Sequence, residues 1–288
     1  MLKLQTPVEC GRSPFTISYR DRIMVLGSCF ADNAGRRMAE AGLDVCVNPF
    51  GTLYNPQSIC NSVERLENGT EFTAGDCEMM GSGAGLVCSF SHHTSFARPT
   101  EAEFLENANG RLREAAEFYR QADIVVITLG TSWCYRHIGK DIIVSNCLKR
   151  NAKEFVRERL EPEQTFNMLS KIISGKTSGK KFILTVSPIR HLKDGAHGNA
   201  VSKASLLLAA ERLCNAFPDR CTYFPAYEIM TDELRDYRFY AEDMVHPSEQ
   251  AVRYIWERFC DFALADEDRP LLAAKEKEFR QSQHRKMH

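Results

Sequence analysis

The sequence predicts an α/β protein in which a mostly parallel sheet is covered by helices on both faces. Apolar runs of strand length alternate along the chain with longer segments whose apolar residues recur at helical spacing. Asp123–Leu129 and Lys181–Val186 are the clearest buried strands, because each is a mostly apolar run that ends at breaker residues.

The first two predicted strands enclose a helix. Ile23–Leu26 is a short apolar run, and from Phe30 onward apolar residues recur at roughly helical spacing. Asp44–Asn48 then forms the second strand, which ends at a turn rich in breakers. Another helix begins after Asn55, because asparagine is a preferred cap residue and Pro56 suits the first helical position.

The rest of the chain continues this alternation. The segment from Gly69 to Gly85 is glycine-rich and irregular. The remaining elements are, in order, a strand at Leu86–His93, a helix at Glu101–Arg120, the two buried strands, a helix at Ser202–Phe217, a short fifth strand at Cys221–Phe224 and a helix at Gln250–Phe262.

Composition and charge exclude several classes of function. The chain has 288 residues, 43% of them apolar, which is enough for one large core, and no linker divides it. Its 37 basic and 38 acidic residues give a formal net charge of −1, so neither nucleic acid nor a membrane is an expected partner. No run of about 18 apolar residues predicts a membrane span.

We therefore expect one soluble, cytoplasmic domain, with its core at about 20–262 and a C-terminal tail at 263–288. Within that tail, 280–288 is expected to be a solvated, partly frayed terminus. The start of the chain lacks the apolar segment of a secretory signal. The eleven cysteines are odd in number and form no Cys-x-x-Cys pair, which predicts neither a disulfide framework nor a zinc ribbon. No cofactor and no metal are expected.

Polar motifs follow the predicted strands directly. In an open parallel sheet, ligands bind beside the carboxyl ends of the strands, so motifs at those positions share one rim. The motifs are Ser28, Asn48–Gly51, Gly130–Ser132 and Ser187–His191, and a later loop with Asp243 and His246 can reach the same rim.

Ser28, Asp243 and His246 predict a Ser-His-Asp catalytic triad. A serine hydroxyl is a weak nucleophile at neutral pH and needs an imidazole to accept its proton, and a carboxylate orients that imidazole. Asp243 and His246 are three residues apart, so one turn can carry both. Each motif also has a structural interpretation, with Ser28 as a helix cap and Asp243 as a solvated acid near the last helix.

The same rim offers donors for the oxyanion of an acyl intermediate. Preorganised donors stabilise that charge in the transition state, each by about 3 kcal/mol. The candidates are the backbone N–H groups of Ser28 and Gly51, the side chain of Asn48, and donors from Thr131 and Ser132.

Five residues are predicted to line the substrate pocket: His92, His93, Trp133, Arg190 and His191. His92 and His93 belong to a dense polar patch after a predicted strand, and adjacent strand residues face opposite sides, which disfavours a shared metal. Arg190 suits bidentate binding of a carboxylate or phosphate, or equally an ion pair with a structural acid.

These motifs resemble the GSCFA domain family, which belongs to the SGNH, or GDSL-like, hydrolase group. Gly27–Ala31 matches the sequence that names the family, and the likeness covers roughly residues 20 to 260. Further blocks similar to those of the family are Asn48–Gly51 with Tyr54–Pro56, Thr128–Trp133, Thr185–Gly195 and Tyr237–Ser248.

The resemblance implies a flavodoxin-like three-layer α/β/α sandwich with a mostly parallel five-stranded sheet in the order 2-1-3-4-5. It also implies hydrolysis or transfer of acyl esters by a serine esterase, often on acetylated carbohydrate, so a small-molecule or carbohydrate ester is the expected substrate. Ser28 corresponds to the nucleophile, and Asp243 and His246 to the acid and base. Gly51 corresponds to an oxyanion donor. The third block departs from the group, because Gly130–Ser132 stands where Gly-x-Asn is usual.

Two other hypotheses stay open. The departure in the third block motivates a non-catalytic glycan-binding module that keeps the pocket without turnover. The other is a thiol enzyme, since a cysteine at a helix start can act as a nucleophile. Neighbouring residues on a turn point in different directions, however, and Cys29 is expected to pack inside.

Overall fold

A five-stranded parallel sheet forms the centre of the protein, in a computed structural model that describes residues 6–81, 83, 85–175 and 179–286. The strands of the described chain are β1 (Arg22–Gly27), β2 (Asp44–Val47), β3 (Glu78–Met79), β4 (Val87–Cys88), β5 (Ile124–Leu129), β6 (Trp133–His137), β7 (Ile142–Val144), β8 (Phe155–Arg159), β9 (Lys181–Val186) and β10 (Cys221–Tyr223). The central sheet has the order β10-β9-β5-β1-β2, which confirms the predicted order 2-1-3-4-5.

Helices cover both faces of this sheet. They are α1 (Cys29–Glu40), α2 (Pro56–Asn68), α3 (Glu101–Gln121), α4 (Pro162–Ser174), α5 (Gly195–Ala216), α6 (Ala226–Glu228), α7 (Glu249–Ala263) and α8 (Arg269–Lys286). The α6 turn continues into a π-helical segment at Ile229–Leu234. Helices α2 to α5 share one hydrophobic core with the sheet, and α1 and α7 share the other. None of the helices in the described ranges is both long and apolar enough to cross a membrane.

Strand β1 shows how the sequence produces the two cores. Its side chains alternate between the faces of the sheet, as they must in any strand. Met24 and Leu26 are buried against the α2–α5 layer, whereas Ile23 and Val25 are buried against the layer of α1 and α7. Residues 23–26 are apolar at every position because both faces of the sheet are covered there. This arrangement confirms the three-layer α/β/α sandwich.

Antiparallel pairing adds elements that the apolar pattern does not reveal. Strands β7, β6 and β8 form a separate three-stranded antiparallel sheet. The predicted strand at Leu86–His93 is shorter than expected, because only β4 forms, paired with β3. The chain turns directly after it, where the Ser89 hydroxyl accepts the N–H of Ser91 at 3.1 Å and the His92 N–H donates to the Ser89 carbonyl at 3.3 Å.

Helix α4 is covered by no predicted element, and two further differences lie at helix boundaries. Helix α5 begins at Gly195, seven residues before the predicted start, because Gly195 and Gly198 interrupt the helical pattern there. Residues 280–286 of the predicted frayed segment belong to helix α8, which begins at Arg269. Earlier in α8, Glu276 accepts a hydrogen bond from the Trp256 indole at 3.0 Å. Parts of two predicted segments, 69–85 and 280–288, lie outside the described residues.

The carboxyl end of β1 lies unusually close to β5. Gly27 has φ +135°, and a Cβ on it would lie 2.1 Å from the carbonyl oxygen of Thr128. The residue that follows, Ser28, donates its N–H to that same oxygen at 3.2 Å. A glycine is therefore required at the last position of β1, both for its backbone conformation and for the space it leaves.

We expect Gly27→Ala to lower the free energy of unfolding by about 3 kcal/mol, because strain and overpacking add at this position. Gly110→Ala is the matched control. Gly110 lies inside α3, and a Cβ there would meet no atom within 4 Å. This change should raise the free energy of unfolding by about 1 kcal/mol through helix propensity. Urea denaturation of both variants measures the difference, and similar effects of the two substitutions would contradict the close contact.

Candidate active site

Ser28 lies at the turn from β1 to α1, and only 1% of its surface is exposed. Its hydroxyl accepts the backbone N–H of Phe30 at 3.3 Å, which makes Ser28 the N-cap of α1. Among the described residues, no imidazole is hydrogen-bonded to this hydroxyl. The structure therefore places Ser28 in a capping position.

Cys29 is the residue whose side chain meets the predicted base. It is the first residue of α1, and its Sγ lies 3.5 Å from Nε2 of His246. The other ring nitrogen of His246, Nδ1, lies 2.6 Å from Oδ2 of Asp243. A carboxylate bound at Nδ1 holds the proton there and turns the Nε2 lone pair toward the thiol. The structure thus brings together Cys29, His246 and Asp243, in that order.

Asp243 is held by the backbone of its own turn. Its Oδ1 accepts the N–H groups of Val245 at 2.9 Å and His246 at 3.0 Å. The His246 N–H, the His246 ring and the Val245 N–H lower the pKa of Asp243 to about 2. The carboxylate is therefore ionised at neutral pH and can orient the imidazole.

Burial raises the pKa of the Cys29 thiol above its ordinary value. The backbone N–H groups of Cys29 and Phe30 oppose this effect, as does Lys203, whereas Asp32 reinforces it. The thiol is consequently protonated at neutral pH, and its conversion to a thiolate requires a base within reach. His246 is in position to be that base.

The predicted oxyanion donors already have acceptors inside the protein. The N–H of Gly51 donates to the Asn48 carbonyl at 2.8 Å, and that of Ser28 is bound as described above. Asn48 Nδ2 donates to Asp32 at 2.6 Å, and Asn48 Oδ1 accepts the N–H of Gly27 at 2.8 Å. These bonds hold the loop Asn48–Gly51, which follows β2, against the end of β1.

Thr131 and Ser132 are engaged in the same way. The N–H of Thr131 donates to the Tyr54 carbonyl at 2.9 Å, and its hydroxyl lies 2.9 Å from that of Ser202. The N–H of Ser132 donates to the Ser202 hydroxyl at 2.8 Å. By contrast, the N–H of Cys29 forms no backbone–backbone hydrogen bond in the part of the chain that the structure describes, and it interacts with the thiol of its own residue. The five predicted oxyanion roles stay predictions, and Cys29 N–H joins them as a candidate.

The predicted pocket residues separate into two groups. Trp133, Arg190 and His191 line a cavity of about 730 Å³ whose wall also includes Val245, next to His246. His92 does not line it. His92 is fully buried in a cluster of phenylalanines, and burial lowers its pKa to about 3.

His93 lies outside the cavity wall as well. A Cβ on Gly51 would lie 2.4 Å from the Cβ of His93, so the two residues are in direct contact. The His93 ring is hydrogen-bonded to the Ser95 hydroxyl at 3.0 Å. His93 therefore packs against the loop Asn48–Gly51. The turn at Ser89–His92 explains why this polar patch of the sequence does not line the cavity. In the described ranges, no group of three or more His, Cys, Asp or Glu side chains could hold a metal ion.

A buried lysine ties two strand ends together behind the site. Lys203, on α5, is 1% exposed, and its ammonium donates to the carbonyl oxygens of Gly130 and Ser187, each at 2.6 Å. Those two residues follow β5 and β9 directly. Burial lowers the pKa of Lys203 to about 7.

The sequence contains a signal for the burial of Lys203 in its helical periodicity, outside the polar motifs. Residues 203, 206, 210 and 213 recur at helical spacing along α5, and all four are buried. A lysine in this series is buried together with its apolar neighbours, so its ammonium group needs hydrogen-bond acceptors inside the protein.

Comparison with models of protein families gives a match to the GSCFA family over residues 22–259. The match includes the strand that precedes Ser28 and Cys29, and the turn that carries Asp243 and His246. No curated protein matches the chain.

We expect Lys203→Met to remove a pH-dependent part of the stability. Lys203 loses its proton near pH 7 when folded, but the unfolded chain keeps it to about pH 10.4. Folding therefore releases a proton between these values, and the free energy of unfolding of the native protein rises with pH across that window. The cost of burying the charge is fully present below pH 7.

Urea denaturation from pH 6 to pH 10 measures this effect as the difference between the native protein and the variant. Lys171→Met, at an exposed position of α4, controls for the loss of one lysine. A constant difference between the Lys203→Met and native curves would show that Lys203 does not titrate on folding.

Proposed function

The chain belongs to the GSCFA family, and we propose that it hydrolyses or transfers acyl esters with Cys29 as the nucleophile. The observation that supports this most directly is the 3.5 Å approach of Cys29 Sγ to the Nε2 of His246, whose Nδ1 is bound to Asp243 at 2.6 Å. A nucleophile, a base and an orienting carboxylate in series are the parts that acyl transfer needs.

In the first half-reaction, His246 Nε2 accepts the thiol proton while Cys29 Sγ forms a bond to the ester carbonyl carbon. The carbonyl oxygen becomes an oxyanion, and the N–H of Cys29 at the start of α1 is a candidate donor for it. The tetrahedral intermediate then collapses, the bond to the alcohol oxygen breaks, and His246 returns its proton to that oxygen. Cys29 is left as a thioester.

In the second half-reaction, water or an acceptor hydroxyl attacks the thioester. His246 Nε2 accepts the proton of the attacking O–H, and collapse of the new intermediate breaks the C–S bond. The proton on His246 returns to Cys29 Sγ. The His246 side chain is 42% exposed, so either acceptor can reach the imidazole from solvent.

The alternative nucleophile, Ser28, has less support. Its hydroxyl is buried and occupied in capping α1. To act as the nucleophile, it would have to give up the cap and turn toward His246. The raised pKa of Cys29 is compatible with the thiol mechanism, since a base-assisted thiol does not need to be ionised in advance.

We expect Cys29→Ala to lower kcat/KM for 4-nitrophenyl acetate by about 10⁴-fold, because the nucleophile is lost. Ser28→Ala removes only a cap, so it should keep most of the activity while losing about 1 kcal/mol of stability. Release of 4-nitrophenol measures the first effect, and urea denaturation measures the second. Intact mass followed by peptide mapping locates the acetyl group of the intermediate.

The matched pair of variants decides between the mechanisms. Loss of activity in Ser28→Ala with activity retained in Cys29→Ala would identify the serine as the nucleophile. Folded native protein that neither releases 4-nitrophenol nor acquires an acetyl group would support the non-catalytic module. His246→Ala should lower kcat/KM by about 10²- to 10⁴-fold, because it removes the base.

A further inference from the structure

We infer that the substrate of this site carries a negatively charged group, a carboxylate or a phosphate, that binds to Arg190 and Lys193 in the cavity whose wall includes Val245, the residue before His246. The inference rests on the proposed function for the identity of the reacting group. It names the class of ester that the site accepts. The cavity of about 730 Å³ is far larger than an acetyl group, so most of a substrate lies outside the reacting ester.

The charges that line the cavity do not cancel. Its wall contains Arg157, Arg190, Lys193 and Asp194. Asp194 is paired with Arg157. Within the described residues, no carboxylate forms an ion pair with Arg190 or Lys193, so two cations of the wall have no protein counter-ion. Arg190 also lines a smaller neighbouring cavity of about 250 Å³, together with Tyr237 and Tyr240, and so lies between the two cavities.

His191 adds no further positive charge to this wall. Burial lowers the pKa of His191 to about 4, so its ring is neutral at physiological pH. The excess is local to the cavity, because the chain as a whole has a formal net charge of −1. A concave wall with this excess attracts anions.

Arg190 is held in place beside the catalytic turn. Its backbone N–H donates to the Val245 carbonyl at 3.1 Å, and its Nη1 donates to the Met244 carbonyl at 3.1 Å. The guanidinium carbon lies 5.4 Å from the ring centre of Tyr240 and 5.8 Å from that of Tyr237. These contacts orient the side chain at little entropic cost to a ligand.

Most of the Arg190 donors are still available. A guanidinium has five N–H donors, and the described structure gives one hydrogen bond from this group. The remaining fork matches two oxygens of a carboxylate or phosphate. Because Arg190 binds the turn that carries His246, an anion on it is placed at a set distance from the reacting carbonyl.

Aromatic side chains also line the cavity. Tyr54 and Trp133 are part of its wall, and the Arg157 guanidinium carbon lies 4.3 Å from the Trp133 ring centre. The Asp194 pair and this stacking contact both hold Arg157, which makes it a wall residue. Arg190 and Lys193 are therefore the two groups that bind the anion.

The test compares two activated esters that differ in charge. We expect Arg190→Gln to lower the ratio of kcat/KM for mono-4-nitrophenyl glutarate to that for 4-nitrophenyl acetate by about tenfold or more. The loss should be in KM of the glutarate ester, and Lys193→Gln should shift the ratio in the same direction. Arg212→Gln, an exposed arginine paired with Glu163 on the α4–α5 surface, should leave the ratio unchanged. An unchanged ratio in Arg190→Gln overturns the inference.

Anion binding to a variant that lacks the proposed nucleophile tests this inference separately from the proposed function. Glutarate and inorganic phosphate are titrated into Cys29→Ala, and tryptophan fluorescence is followed. Trp133 lines the cavity, whereas Trp256 is buried beneath the other face of the sheet, so Trp133→Phe should remove the response. A response that Arg190→Gln abolishes supports the anion site even if no ester is cleaved.

The two anions distinguish the possible sources of the charge. A response to glutarate alone identifies a carboxylate, and a response to phosphate alone identifies a phosphate. The anion site is overturned if neither anion changes the fluorescence and the ester ratio of Arg190→Gln equals the native ratio. If Cys29 still cleaves esters in that case, the proposed function stands.

Discussion

The direction of the Cys29 thiol depends on the contact between Gly27 and the carbonyl oxygen of Thr128. Because Gly27 has no side chain, β1 stays against β5 to its last residue, and the Ser28 N–H adds a further bond to the same oxygen at 3.2 Å. The chain then turns with Ser28 beneath the first turn of α1. Cys29 is consequently the first helical residue, at the carboxyl end of the sheet, where His246 reaches it.

The central sheet is predictable from sequence because its strands are buried on both faces. A run such as β5 is apolar whichever neighbour it pairs with, so its pattern is visible without knowledge of its partners. The antiparallel sheet of β6, β7 and β8 is different, because its strands are half-exposed and carry charged residues. Their pairing depends on cross-strand contacts such as Arg136 with Glu158 at 2.8 Å, between residues 22 apart in the chain.

The residues of the candidate site also differ in how far the sequence predicts their arrangement. The pairing of Asp243 with His246 is local and follows from their spacing, whereas the choice between Ser28 and Cys29 depends on where α1 begins. Successive residues of a helix point about 100° apart, so a shift of one residue exchanges an inward side chain for an outward one. Boundaries are the least certain part of any sequence-based prediction, and the cap residue and the first helical residue are neighbours.

The turn that carries Asp243 and His246 has a consequence for how this site can vary between related proteins. Four consecutive residues contain the carboxylate, the imidazole and both backbone N–H groups that hold the carboxylate. The geometry of the Asp243–His246 pair is therefore set within the turn itself, and it does not depend on the length of the connection that precedes the turn. Insertions or deletions in that connection would leave the contact between Asp243 and His246 intact. They would change only the position of the turn relative to the Cys29 thiol.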